Sequence, residues 1–95
     1  MSQLLFEFSG WRAIEIIGSV RVVYHVDRVV GGWRVERHVY IDNRKVVPKQ
    51  FHPLNITRPD WLPDMEGITT SEDRALAYCQ QDWKTLQRVL KEKAQ

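Results

Sequence analysis

Residues 11–47 read WRAIEIIGSVRVVYHVDRVVGGWRVERHVYIDNRKVV. The stretch is rich in Val, Ile, Trp and Tyr and is broken only at short turn signals, the pattern of antiparallel strands. Gly18-Ser19 and Gly31-Gly32 can each supply the positive φ angles that a two-residue hairpin turn needs, so two hairpins share the strand Val20 to Val30. Asp42-Asn43 is a third turn, leading into Arg44-Lys45-Val46-Val47 as a fourth strand before Pro48 stops it. Leu4 to Phe8 is a candidate for one more strand. The expectation for residues 1–47 is an antiparallel meander of three to five strands.

Taken literally, the second glycine turn sets Val22 opposite Ile41, Tyr24 opposite Val39 and Val26 opposite Arg37. The first hairpin sets Ala13 beside Tyr24 and Trp11 beside Val26. Side chains alternate with period two, so one face collects Trp11, Ala13, Ile17, Val20, Val22, Tyr24, Val26, Trp33, Val35, Val39 and Ile41 as the core face. The opposite face carries Arg12, Arg21, His25, Asp27, Arg34, Glu36 and His38, interspersed with Ile14, Ile16, Val23 and Tyr40.

Working outward, the carboxy-terminal segment predicts a helix over 71–93. Thr70 or Ser71 can cap it, and Asp73 lies three residues after Thr70 in an acidic variant of the capping box. Leu76, Cys79, Trp83, Leu86 and Leu90 recur at three- and four-residue steps and form a stripe suited to docking on the core face. Lys91 and Lys93 suit the negative end of the helix dipole. Between sheet and helix, residues 48–70 hold all four prolines, at 48, 53, 59 and 63, together with Phe51, Leu54, Ile56, Trp61, Leu62 and Met65. The expectation there is a long Pro-rich loop lying against the body. The fold class is therefore α+β in a single domain over 1–95, with a helix on one face of the meander.

At 95 residues, 43% hydrophobic and 27% charged, the chain is sized for one domain with one core. A single cysteine, Cys79, excludes an internal disulfide and fits a reducing, cytoplasmic compartment. The amino terminus shows neither a signal peptide nor a membrane-spanning run, so no membrane association is expected. The formal net charge is +2, and the first fifty residues carry eight basic against five acidic side chains. That lean could attract nucleic acid, although dedicated nucleic-acid domains concentrate their basic residues more densely.

Candidate chemistry is sparse. His25 opposite His38, with Asp27 and Glu36 one pair along, could in principle bind zinc, but alternating polar residues on a solvated face create such pairings without function. Cys79 sits on the apolar stripe, where a buried structural thiol is the default. No serine occupies a nucleophile elbow and no glycine-rich phosphate loop is present. The expectation is no catalytic residues, no metal and no cofactor: a protein that is not an enzyme.

Two features suggest protein binding instead. Ile14, Ile16, Val23 and Tyr40 lie on a sheet face that a helix on the other side cannot cover, among Arg12, Arg21 and Arg34. The run Arg58-Pro59-Asp60-Trp61-Leu62-Pro63-Asp64-Met65 has a stiffened backbone and an aromatic anchor flanked by charge, a composition common at binding hot spots. Trp61 has a competing explanation as a cap on the open end of the core. The candidate protein-binding residues are Arg12, Ile14, Arg21, Val23, Arg34, Tyr40, Arg58, Asp60 and Trp61. A nucleic-acid surface on the same basic face is the second reading. Self-association into a homodimer through it is the third.

The segment Thr70-Ser71-Glu72-Asp73-Arg74-Ala75-Leu76-Ala77-Tyr78-Cys79-Gln80-Gln81-Asp82-Trp83 resembles one found in small phage and prophage proteins. In those, a few strands precede a helix with a Ser-Leu-Glu-Glu-Ala-like cap and an Ala-Gln-Ala-Asp-Trp/Tyr-like stretch. The resemblance covers about a quarter of the chain and transfers no site residues. It implies a viral, phage-encoded accessory protein that binds and modulates or inhibits a larger host protein complex, a host–virus interaction without chemistry.

Overall fold

The computed structural model describes residues 12–48, 52–62 and 65–94. The expected strand Leu4 to Phe8 and the placement of Trp11 lie outside the described residues. The fold is α+β. Six strands, β1 (Arg12–Ile17), β2 (Val20–Val29), β3 (Gly32–Ile41), β4 (Arg44–Val47), β5 (Asn55–Thr57) and β6 (Glu66–Thr69), form one open sheet, and helix α1 (Glu72–Ala94) packs on it. Adjacent strands are antiparallel except β4 and β5, which run parallel.

The first hairpin has the expected register, with Ala13 opposite Tyr24 and Ile17 opposite Val20 across the Gly18-Ser19 turn. Asp42 and Asn43 hold positive φ angles of 51° and 64° and turn β3 into β4 as expected. The second hairpin differs. Val22 pairs with Val39, Tyr24 with Arg37 and Val26 with Val35, so each residue of β2 meets a partner two positions earlier in β3 than the literal glycine turn implied. The turn is made by Val30 and Gly31, and Gly32 is already in strand, opposite Val29. A shift of two preserves the face of every side chain, so the core face survives the correction.

The long connection is likewise more ordered than a loop. It contains β5, which extends the sheet beyond β4, and β6, which pairs with β3 from Trp33↔Thr69 to Glu36↔Glu66. The edge of β3 away from β2 is thus shared, with β4 at its carboxy-terminal end and β6 at its amino-terminal end. The two part beside residues 37–39, where Glu36, Arg37, His38, Met65 and Glu66 line a notch.

Ser71 caps α1, its Oγ accepting the backbone N–H of Arg74 at 3.2 Å. Thr70 instead accepts from the Arg74 guanidinium, so the alternative box with Asp73 does not form. Ala75, Cys79, Trp83, Leu86 and Leu90 are buried along one side of the helix, with Leu76 partly buried beside them. They meet Ala13, Val22, Tyr24, Val26, Val35 and Val39 of the sheet, with Leu62 and Met65 of the connection completing the core.

Two charged groups lie inside this sandwich. Arg37 occupies the core face of β3 and is only 3% exposed in its side chain, while Asp82 lies on the apolar side of α1 at 14%. Arg37 Nη1 donates to Asp82 Oδ1 at 2.6 Å, and the Tyr24 hydroxyl donates to Asp82 Oδ2 at 2.5 Å. The Tyr24 ring in turn meets Trp83 edge-on, with centroids 6.5 Å apart. One carboxylate therefore ties the helix to two neighbouring strands.

Burial, reinforced by the Asp82 charge, pushes the Cys79 thiol up to about 12 and raises the Tyr24 phenol well above its ordinary range. Both groups stay protonated in the fold while the unfolded chain loses its thiol proton near pH 9. The native state then binds more protons, so stability is full below that pH and falls as pH rises. A decrease of about 1–2 kcal/mol between pH 8 and 10 is expected in urea titrations. A stability that is flat or rises over that interval contradicts the assignment. Cys79 should also resist alkylation by iodoacetamide in the folded protein and react once urea unfolds it.

Candidate interaction surface on the uncovered sheet face

The register relations lay out the face opposite the helix as rows across the strands. The first row is Ile16, Arg21, Tyr40 and Lys45; the second is Ile14, Val23 and His38; the third is Arg12, His25, Glu36 and Glu66; the fourth is Asp27, Arg34 and Ile68. Ile14, Ile16 and Ile68 are 47%, 66% and 63% exposed, large for aliphatic side chains on a regular sheet. Among the described residues no element packs over this face.

Charge is unevenly spread over it. The first row holds Arg21 and Lys45 with no carboxylate, and the Arg21 guanidinium lies 4.4 Å from the Tyr40 ring centroid in a cation–π contact. The third and fourth rows hold Glu36, Glu66 and Asp27 against Arg12 and Arg34. Arg34 is drawn to both Glu36, at 3.0 Å, and Asp27, at 3.8 Å. These are surface pairs worth about 0–1 kcal/mol each; their effect is to hold the Arg34 head in place.

His25 faces Glu36 rather than His38, as the corrected register requires, yet the two imidazoles still meet diagonally with centroids 5.3 Å apart and planes at 81°. His38 Nε2 lies 3.3 Å from Glu36 Oε2. Partial burial first, and His38 second, lower the pKa of His25 below its usual range. No group of three or more His, Cys, Asp or Glu among the described residues is arranged to hold a metal ion.

Of the nine candidate binding residues, Arg12, Ile14, Arg21, Val23, Arg34 and Tyr40 come together on this face. Arg58, Asp60 and Trp61 do not join them. Arg58 follows β5, its backbone N–H bonded to the Val47 carbonyl at 2.9 Å. Trp61 is partly buried against the core and shares a cleft with Ile17, Ile41 and Leu90 on the helix side of the sheet, beside the fully buried Leu62. Its capping role is therefore visible in the packing.

Sequence reasoning missed Ile68, whose strand lies in the presumed loop, and the Arg37–Asp82 pair. A signal for the pair did exist. Arg37 has the core-face parity of Val35 and Val39, and Asp82 falls three residues after Cys79 on the helix stripe. Opposite charges on two facing apolar stripes predict each other.

No family model, no curated protein and no solved structure matches the chain. No described helix is long and apolar enough to cross a membrane.

Proposed function

We propose that the protein is a non-enzymatic protein-interaction module, of the phage accessory type, that docks through the uncovered face of its sheet. The observation that carries this reading is the exposure of Ile14 and Ile16, side by side on β1, and of Ile68 on β6 at the opposite edge, set among fixed charged groups on a face of a sheet already stabilised from its other side. Such a face supplies apolar contact area, while Arg21 on Tyr40 and Arg34 between two carboxylates supply orientation. The mechanism is steric: a rigid sheet covers a groove or subunit contact of its partner. Nucleic acid is the weaker reading because Glu36, Glu66 and Asp27 interrupt the basic surface.

The test is capture from host-cell lysate by tagged protein, with and without nuclease. Retention of one stoichiometric protein in both halves is the expected result. Loss of all retained material on nuclease treatment, with a steep salt dependence, would make the face a nucleic-acid surface instead. Arg21→Ala forfeits a contact worth about 0.5–1 kcal/mol at an exposed site, so its melting temperature should change little while capture weakens.

A further inference from the structure

We infer that the partner docked on the uncovered face meets it with an acidic and apolar segment: two carboxylates over Arg21 and Lys45, and an aliphatic or aromatic side chain over Ile14 and Ile16. The inference rests on the reading of this face as a protein interface and names the chemistry of what it receives.

The charges of the face divide into a half that is satisfied within the chain and a half that is not. Arg34 engages both Glu36 and Asp27, and Glu36 also meets His38 Nε2. Of the three carboxylates in those rows, only Glu66, at the β6 edge, stands outside an ion pair among the described residues. In the row of Ile16, Arg21, Tyr40 and Lys45, neither cation forms an ion pair among the described residues. Asp42 shares a cleft with Ile16 and Arg21 beside the turns, but it pairs with neither cation. Covering Arg21 and Lys45 with a partner that brought no counter-charge would cost their hydration without return. The occupant therefore carries acid at this end of the face and keeps acid away from Glu66.

Register fixes the spacing. Arg21 on β2 and Lys45 on β4 flank Tyr40 of β3, so their backbone positions are two strand spacings apart, about 10 Å. The Arg21 guanidinium lies over the Tyr40 ring, 4.4 Å from its centroid. A guanidinium stacked in this way keeps its N–H edge for a bidentate carboxylate. On β1, Ile16 and Ile14 are 66% and 47% exposed, and Val23 carries the apolar strip onto β2. Two cations beside three aliphatic side chains fit the mixed side chains of a protein segment. A nucleic-acid strand would bring phosphates to both cations and nothing to the isoleucines, and running on along β2 or β3 it would meet Glu36 and Asp27.

The test is zero-length carbodiimide cross-linking of complexes captured by the tagged full chain from nuclease-treated host-cell lysate, with the joined peptides identified by mass spectrometry. Carbodiimide couples an amine only to a carboxylate in contact with it, so it reports what covers Lys45. Lys84, exposed on α1, is the reference. The expected result is an isopeptide bond between Lys45 and an Asp or Glu of the captured protein, with none at Lys84. Capture should fall by about tenfold or more in Arg21→Glu and in Lys45→Glu. Lys45→Arg, which keeps the charge and loses the amine, should stay within about threefold of wild type in capture while losing the cross-link, which separates lost charge from a lost fold. Capture that is abolished by Ile16→Glu yet unmoved by both charge reversals, or a Lys45 that cross-links no better than Lys84, overturns the acidic partner and leaves the face as an interface. Capture indifferent to Ile16→Glu, or nothing retained after nuclease, removes the reading of the face and the inference with it.

Discussion

Asp82→Ala should lower the unfolding free energy by about 3–5 kcal/mol, because it removes the carboxylate paired with the Arg37 guanidinium inside the sandwich. Arg37 is 3% exposed in its side chain and Asp82 14%, so water cannot replace the lost partner without the helix lifting from the sheet. The same substitution deprives the Tyr24 hydroxyl of its acceptor, and hydrogen bonds to a charged group contribute about 1.5–3 kcal/mol. A domain of this size has roughly 5–15 kcal/mol in total, so the variant stands close to unfolding at room temperature. The comparison that isolates the cause is the double variant Arg37→Met with Asp82→Leu. Removing both charges leaves no buried ion short of its counter-charge, and its urea midpoint is expected near that of wild type or above it. A single variant that loses under 1 kcal/mol would mean that the pair is solvated and the helix is held by apolar contacts alone.

Gly32→Ala is the second large effect, expected to cost roughly 2–4 kcal/mol from backbone strain and steric overlap together. Gly32 has φ near +150°, and a Cβ there would overlap the backbone carbonyl oxygen of Thr69, where β6 closes on β3. The neighbouring Gly31 has φ near +94° with nothing within reach of an added Cβ. Gly31→Ala therefore pays only for conformation, about 1 kcal/mol. Urea denaturation of the two variants separates the contributions. Equal losses at both positions would show that β6 does not press on Gly32. In Gly32→Ala the β6 amides should also exchange with solvent faster than those of the β1–β2 hairpin, since the clash acts at the β3–β6 seam.

The same residue explains where sequence reading stopped. The meander, the Gly18-Ser19 and Asp42-Asn43 turns, the Ala13–Tyr24 register and the helix stripe were legible because each follows from local periodicity or turn chemistry. Gly31-Gly32 looked like a self-contained turn, and only the first glycine serves that purpose. The second is glycine because a strand that ends thirty-seven residues later in sequence, at Thr69, approaches its backbone. That strand, Glu66-Gly67-Ile68-Thr69, is four residues long with a glycine inside and carries no alternation to announce it. Its pairing is a tertiary event, as is that of the three-residue β5. The composition of the uncovered face was legible from parity alone. Its ordering into a basic row and a mixed acidic row depended on the true register and on where β6 sits, so that ordering emerges only in three dimensions.

The measurement that bears most directly on the uncovered face as the working surface is capture from nuclease-treated lysate by three proteins in parallel: wild type, Ile16→Glu on the sheet face and Tyr78→Ala on the exposed side of the helix. Ile16 and Tyr78 are 66% and 45% exposed, so both variants should melt within a few degrees of wild type. The expected result is that Ile16→Glu loses the captured protein while Tyr78→Ala retains it. Retention by Ile16→Glu with loss by Tyr78→Ala would place the interface on the helix and contradict the assignment of the sheet face.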